Sequence, residues 1–139
     1  MPSRLILFPL IVQVLLTIAV YLRLNFAKRA AARRGEVDEA RRALDADAWP
    51  DSVRKINNNI RNQFEVPVLF YVLVLTLVAL NAVSVAAIVC AWLFVLSRIV
   101  HAHVHTGSNY VPLRRKAFMA GCAMVMVLAV CAMYALFVR

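Results

Sequence analysis

From Val66 to Leu96 the chain runs for 31 residues in which Thr76, Asn81 and Ser84 are the only aliphatic polar side chains. A single helix of that length would measure about 46 Å at about 1.5 Å per residue, well beyond the ~30 Å of bilayer hydrocarbon. Two helices divided at Asn81 to Ser84 would hold about 15 apolar residues each, short of the ~20 that a span requires. A hairpin works if each helix continues past its apolar part. The second span then begins near Asn58 and the third continues to about His105, so Arg61, Asn62, Glu65, Arg98, His101 and His105 ride on membrane helices. Both polar ends of an antiparallel hairpin face the same side. These residues are therefore expected to meet at one membrane boundary, where polar groups need partners or a cavity.

The flanking sequence supplies two more crossings. Leu5 to Leu22, broken only by Gln13 and Thr17, has the length of a transmembrane helix. It is long for the apolar region of a signal peptide, and no A-x-A cleavage pattern precedes the basic cluster. Pro9 falls in the first two turns, where a missing donor costs least. Ala27 to Ile60 is polar. Its Ala-rich, mixed-charge segment VDEARRALDA favours a short surface helix, punctuated by Gly35 and by Trp49-Pro50. After Thr106 to Pro112, the run from Arg114 to Val138 makes the last crossing. Ala117 with Gly121, and Ala87 with Ala91, have the small-xxx-small spacing that lets helices approach closely in lipid. The expectation is an all-α, single-domain integral membrane four-helix bundle. Its spans lie at about 5–27, 58–81, 84–105 and 114–138, with a cytosolic loop at about 28–57.

Composition agrees with lipid as the solvent. Hydrophobic types make up 63% of the 139 residues, against about 45–50% in ordinary soluble domains. The net charge of +9 would suggest nucleic acid in a soluble protein. Its distribution argues otherwise: nine of the sixteen cations lie between Lys28 and Arg61 beside six of the seven acids, as in a solvated connector. No nucleic-acid partner is implied. The loops after the first and third spans carry nearly all the cations, and the opposite side has only Arg4 and Arg139. The positive-inside rule then places loops 28–57 and 106–113 in the cytoplasm and both termini in the periplasm or a lumen. Cys90, Cys122 and Cys131 sit in apolar stretches without CxxC or Cys/His spacing, so neither a disulfide nor structural zinc is expected.

On an ideal helix Asn58, Asn62 and Glu65 fall at about 0°, 40° and 340°, forming a polar stripe, with Arg61 about 60° away. Glu65 is the only acid outside the connector. A carboxylate at that depth needs a donor or cation, either Arg61 one turn earlier or Arg98 on the next span. Arg98, His101 and His105 share a face of the third span, at about 0°, 300° and 340°, while His103 points away. His101 and His105 have the i, i+4 spacing of helical zinc sites, but no HExxH glutamate or cysteine accompanies them, and hydrogen bonding between helices is the plainer reading. Arg114, Arg115 and Lys116 read as positive-inside anchors. They also concentrate positive charge at a helix N-terminus, which favours an anion such as a carboxylate, phosphate or thiolate.

The string RNQFEVPVLFY opening the second span, and RIVHAHVHTGSNYVPLRRKAF running from the third into the fourth, resemble the bacterial branch of the MAPEG family, the membrane-associated proteins in eicosanoid and glutathione metabolism. The resemblance covers essentially the whole chain. It implies a homotrimer in the bacterial inner membrane, with glutathione sites between subunits at the cytosolic side and transferase, peroxidase or eicosanoid synthase activity. Asn62 and Glu65 look like the N-x-x-E of the family's R-x-x-x-N-x-x-E glutathione motif, in which Asn58 stands where arginine is usual. The proline follows the glutamate by two residues rather than three. His101 and His105 occupy positions where the family usually has tyrosines, Asn109 belongs to the same R..H...H...N....R series, and Arg114 or Arg115 is similar to the catalytic arginine. The implied chemistry is activation of glutathione or a similar thiol co-substrate by a guanidinium, which lowers a thiol pKa from about 8.5 toward neutrality. No metal is implied. The alternative function is a non-catalytic membrane subunit or scaffold, whose polar cluster binds lipid or a partner membrane protein.

Overall fold

The computed structural model describes residues 2–138; Arg139, one of the two end cations in the topology argument, lies outside them. A helical turn, α1 (Pro2–Leu5), leads into α2 (Leu7–Arg33). A connector follows, with a 3-10 turn at Ala46–Ala48, and then α3 (Asp51–Gln63), α4 (Val66–Ala79), α5 (Val85–Thr106) and α6 (Val111–Val138). Four segments are long and apolar enough to cross a membrane: α2, the α3–α4 pair taken together, α5 and α6. Their outward faces are apolar as well, with Phe8, Leu15, Val72, Leu96 and Met126 all exposed. The chain is thus an all-helical membrane-spanning protein, and its exposed apolar surface implies contact with lipid.

Several limits differ from those expected: VDEARRALDA forms turns rather than a surface helix, the second span begins at Asp51 rather than near Asn58, and the fourth begins at Val111 rather than Arg114. The first span runs on to Arg33 because Ala30, Ala31 and Ala32 are good helix formers, and it stops at Gly35, whose φ of +68° suits glycine. The second span is interrupted. Pro67 lacks an N–H and its ring crowds the carbonyl four residues back, on Gln63, so α3 ends there and α4 restarts at Val66. Glu65, with φ and ψ both near −99°, is the joint. The hairpin bend falls at Asn81, in the left-handed region at φ +51°, and the Ser84 side chain caps α5 by accepting from the Ala87 N–H at 3.1 Å.

Packing divides into two apolar clusters. One joins Ile6, Phe70, Val74, Leu77, Phe94 and Leu128, with the Phe70 and Phe94 rings stacked 4.3 Å apart. The other joins Val20, Leu24, Val53, Ile56, Ile60 and Ala102. Gln13 in α2, Gln63 in α3, and Arg98 and His101 in α5 are buried between them, while buried Asn59, His105 and Thr106 lie at the level of the second cluster. The small residues do what their spacing suggests. Ala87, Ala91, Ala117 and Gly121 are buried, and a Cβ on Gly121 would come within 2.8 Å of Ser97 Oγ on the facing helix.

The amide side chains of this layer form a directional chain. Gln13 Nε2 donates to Gln63 Oε1 at 2.9 Å, Gln63 Nε2 donates to Asn59 Oδ1 at 3.1 Å, and Asn59 Nδ2 donates to His105 Nδ1 at 3.3 Å. Gln63→Leu removes two of these links and leaves a buried donor on Gln13 and a buried acceptor on Asn59. Unfolding in a micelle or bilayer is therefore expected to become easier by about 1–2 kcal/mol. A lowered Tm checks this, and an unchanged Tm contradicts it.

In the connector, Arg34 holds Glu36 through hydrogen bonds of 2.8 and 2.9 Å, while Asp45 accepts from the Asp47 N–H and pairs with Arg41. Both carboxyls are held below their ordinary values of 4.5 and 3.8, Glu36 chiefly by the Arg34 hydrogen bond and Asp45 chiefly by the Asp47 amide. A depressed folded-state pKa means that the contribution is complete above the ordinary value and is lost as pH falls through the lowered one. A nitroxide on Ala43→Cys should accordingly gain mobility as pH falls through and below the ordinary carboxyl range, whereas one on Val72→Cys should not. Equal response at both positions would contradict the connector's dependence on these carboxylates.

Candidate functional site

At the connector end of the bundle the chain joining α5 to α6 is fixed by its own backbone and by two cations from other helices. The Gly107 N–H bonds to the His103 carbonyl at 3.0 Å and the Asn109 N–H to that of Val104 at 2.7 Å, with Asn109 in the left-handed region at φ +55°. Arg23 Nη2 donates to the Thr106 carbonyl at 3.2 Å and Lys55 Nζ to that of Gly107 at 2.5 Å. Cations here meet the negative end of the α5 dipole. This clamp holds Asn109, whose Oδ1 accepts from Arg114 Nη1 at 2.6 Å.

Arg114 is half-buried in the first turn of α6, and its backbone carbonyl lies 3.2 Å from His101 Nδ1. A carbonyl can only accept, so that nitrogen carries the proton and His101 Nε2 is left as an acceptor in the neutral ring. Nε2 is buried without a partner among the described residues. His105 takes the opposite tautomer, since its Nδ1 receives the amide of Asn59 and, at 3.4 Å, that of Asn62. The two rings meet edge to face, 5.4 Å between centroids.

Arg98 is the most deeply buried cation, at 1% exposure. It donates one bond, Nη2 to the Asn62 carbonyl at 3.1 Å, and its guanidinium lies 5.8 Å from the Phe118 ring centroid. Its Nε and Nη1 have no acceptor among the described residues. Glu65 acts on it electrostatically, but neither residue forms an ion pair among the described residues.

Of the residues singled out in the sequence, Asn62, Arg98, His101, His105, Asn109 and Arg114 are joined by these contacts. Asn58, Arg61, Glu65 and Arg115 are exposed on the outside of the chain. Neither expected partner of Glu65 reaches it: the break at Phe64 and Glu65 takes the carboxylate off the regular helical stripe, away from one-turn register with Arg61. Gln13, Asn59 and Gln63 belong to the polar layer although the angular reading of the second span did not select them. Their only sequence signal is that each interrupts an apolar surface. Arg23 and Lys55 read as ordinary boundary cations, and nothing in their local sequence indicates that they reach α5.

Chemically, the arrangement offers two guanidiniums without carboxylate partners among the described residues, one enclosed and one half-open, beside a fixed imidazole acceptor. Such a set can hold an anion at the membrane boundary. Comparison with curated proteins and with solved structures gave no match. The sequence matches the MAPEG family over residues 6–134, nearly the whole chain. This membrane-spanning four-helix protein belongs to the MAPEG family.

Proposed function

We propose that the protein conjugates glutathione or a related thiol to hydrophobic electrophiles that reach it from the bilayer, and that Arg114 stabilises the reacting thiolate. One observation carries this reading. Arg114 is held by a neutral acceptor, Asn109 Oδ1, so its orientation is fixed while its charge stays uncompensated. Arg115, next in the chain, is exposed and makes no such contact. The N-terminal field of the 28-residue α6 adds to the positive potential at Arg114.

In the reaction the thiol releases its proton to solvent, and the permanently charged guanidinium favours the thiolate that remains. Sulfur attacks the electrophilic carbon, a C–S bond forms, and a leaving group such as chloride departs with the bonding pair. Asn62 and the exposed Asn58, Arg61 and Glu65 would bind the polar parts of the thiol, and Arg98, His101 and His105 would line the inner end of its site. Exposure of the α3 residues in the single chain agrees with a site completed by a neighbouring subunit, in a homotrimer. The proposed setting is a bacterial inner membrane with the connector and the α5–α6 loop in the cytoplasm and both termini in the periplasm, from the charge asymmetry.

Arg114→Ala should lower the rate of conjugation to a chlorodinitrobenzene-type acceptor by about 10²-fold or more, in line with removal of one charge-stabilising donor, and should remove the thiolate ultraviolet band of bound glutathione. Arg115→Ala should retain most of both. Equal activity in the two variants would contradict the role given to Arg114. Absence of both thiol binding and turnover in the native protein would favour the non-catalytic membrane subunit.

A further inference from the structure

On the opposite flank of α3 from the polar layer, the end of α2, the connector and α3 form an open-sided cavity of about 370 Å³. Two of its lining cations, Lys28 and Arg61, form no ion pair among the described residues. The others are already matched: Arg42 by Glu39 at 3.0 Å, and Arg54 by Asp47 at 2.8 Å and Asp51 at 3.2 Å. Asp45, the one carboxylate in the lining, is engaged by Arg41 and the Asp47 amide. Lys28 and Arg61 are thus the two lining cations not already drawn to a carboxylate, and the amides of Asn57 and Asn58 lie beside them. Trp49 forms part of the apolar wall, with Leu44 and Val53. Its ring lies 4.9 Å from Lys28 Nζ, and its Nε1 donates to the Arg42 carbonyl at 3.3 Å, which fixes the indole.

The position matters as much as the charge. Lys28 follows the exposed Phe26 by two residues, and Arg61 precedes the apolar start of α4 by five. Both cations therefore stand where hydrocarbon gives way to headgroups, and a fixed tryptophan is characteristic of that level. We propose that this cavity binds a phosphate-bearing anion at the membrane boundary. A phosphate is compact, carries one or two charges, and accepts from a lysine, an arginine and amides together. Anionic lipid headgroups and free phosphate share this chemistry. Arg61 and Asn58 are shared with the proposed thiol site, whereas Lys28 and Trp49 belong to this cavity alone, so the effect of Lys28→Gln on anion binding against thiol conjugation separates the two readings.

Trp49 serves as the reporter in a Trp92→Phe background. The protein is reconstituted in nanodiscs of phosphatidylcholine with increasing phosphatidylglycerol, and separately titrated with inorganic phosphate in pure phosphatidylcholine nanodiscs. A saturable change in Trp49 emission in the first series identifies the lipid as the source, and one in the second identifies the free anion. Lys28→Gln and Arg61→Gln should each weaken the response about fivefold, and together about 25-fold. Arg33→Gln, an exposed cation at the same end of α2 outside the cavity, should leave it unchanged. The inference is overturned by a flat response in both series, by full binding in the double variant, or by a response to glutathione alone. Retention of lipid through native mass spectrometry, scored on the same variants, gives the same decision without fluorescence.

Discussion

The structure depends on a mismatch between apolar length and membrane thickness. The 14 residues of α4 rise about 21 Å, and the apolar start of α5, Val85 to Leu96, about 18 Å, while the hydrocarbon they must cross is about 30 Å deep. The missing depth comes from the next turns of sequence, which carry Asn59 and Gln63 on one side and Arg98, His101 and His105 on the other. Water cannot satisfy those groups inside a bilayer, so they satisfy one another. The amide chain from Gln13 through Gln63 and Asn59 to His105 is the result, and it ties α2, α3 and α5 together at one level.

That solution leaves a remainder which gives the site its character. Arg98 finds one acceptor where its guanidinium could use several, His101 keeps a free ring nitrogen, and Arg114 is steadied by a neutral oxygen. Positive charge is thus placed and oriented without being neutralised. The same end of the molecule holds the α5–α6 loop in place with Arg23 and Lys55, cations that also cancel the dipole of α5. Scaffold and site are one set of contacts here, as expected where membrane depth leaves few polar groups to spare.

The architecture was legible in the sequence because apolar run length and breaker residues act locally. Asn81 bends the hairpin, Ser84 caps the helix after it, and Ala87, Ala91, Ala117 and Gly121 mark the close helix packing. What could not be read was the consequence of Pro67. A proline early in a predicted helix is usually harmless at its own first turn, but here the preceding residues were also expected to be helical, so it separates α3 from α4 and takes Glu65 out of register. Gln13, Asn59 and Gln63 escaped for another reason. Gln13 is a lone amide in an apolar run with no local partner, and Asn59 and Gln63 are lost among the other polar residues of NNNIRNQ; their meaning emerges only when three helices bring them to the same height. The clamp by Arg23 and Lys55 spans 83 and 52 residues of sequence, and no periodicity announces a contact of that kind.

The central claim is that polar residues from separate spans meet at one boundary of the membrane. Cysteine crosslinking in a chain whose three native cysteines are replaced by alanine tests it most directly. Gln13→Cys paired with Gln63→Cys, and Asn59→Cys paired with His105→Cys, should each be bridged within the chain by a short bis-thiosulfonate reagent, which spans the reach of the side chains replaced. Gln13→Cys paired with Asn81→Cys, at the far end of the hairpin, should not. Failure of both near pairs, with bridging of the far pair, would place the polar residues at opposite sides of the bilayer and contradict the account.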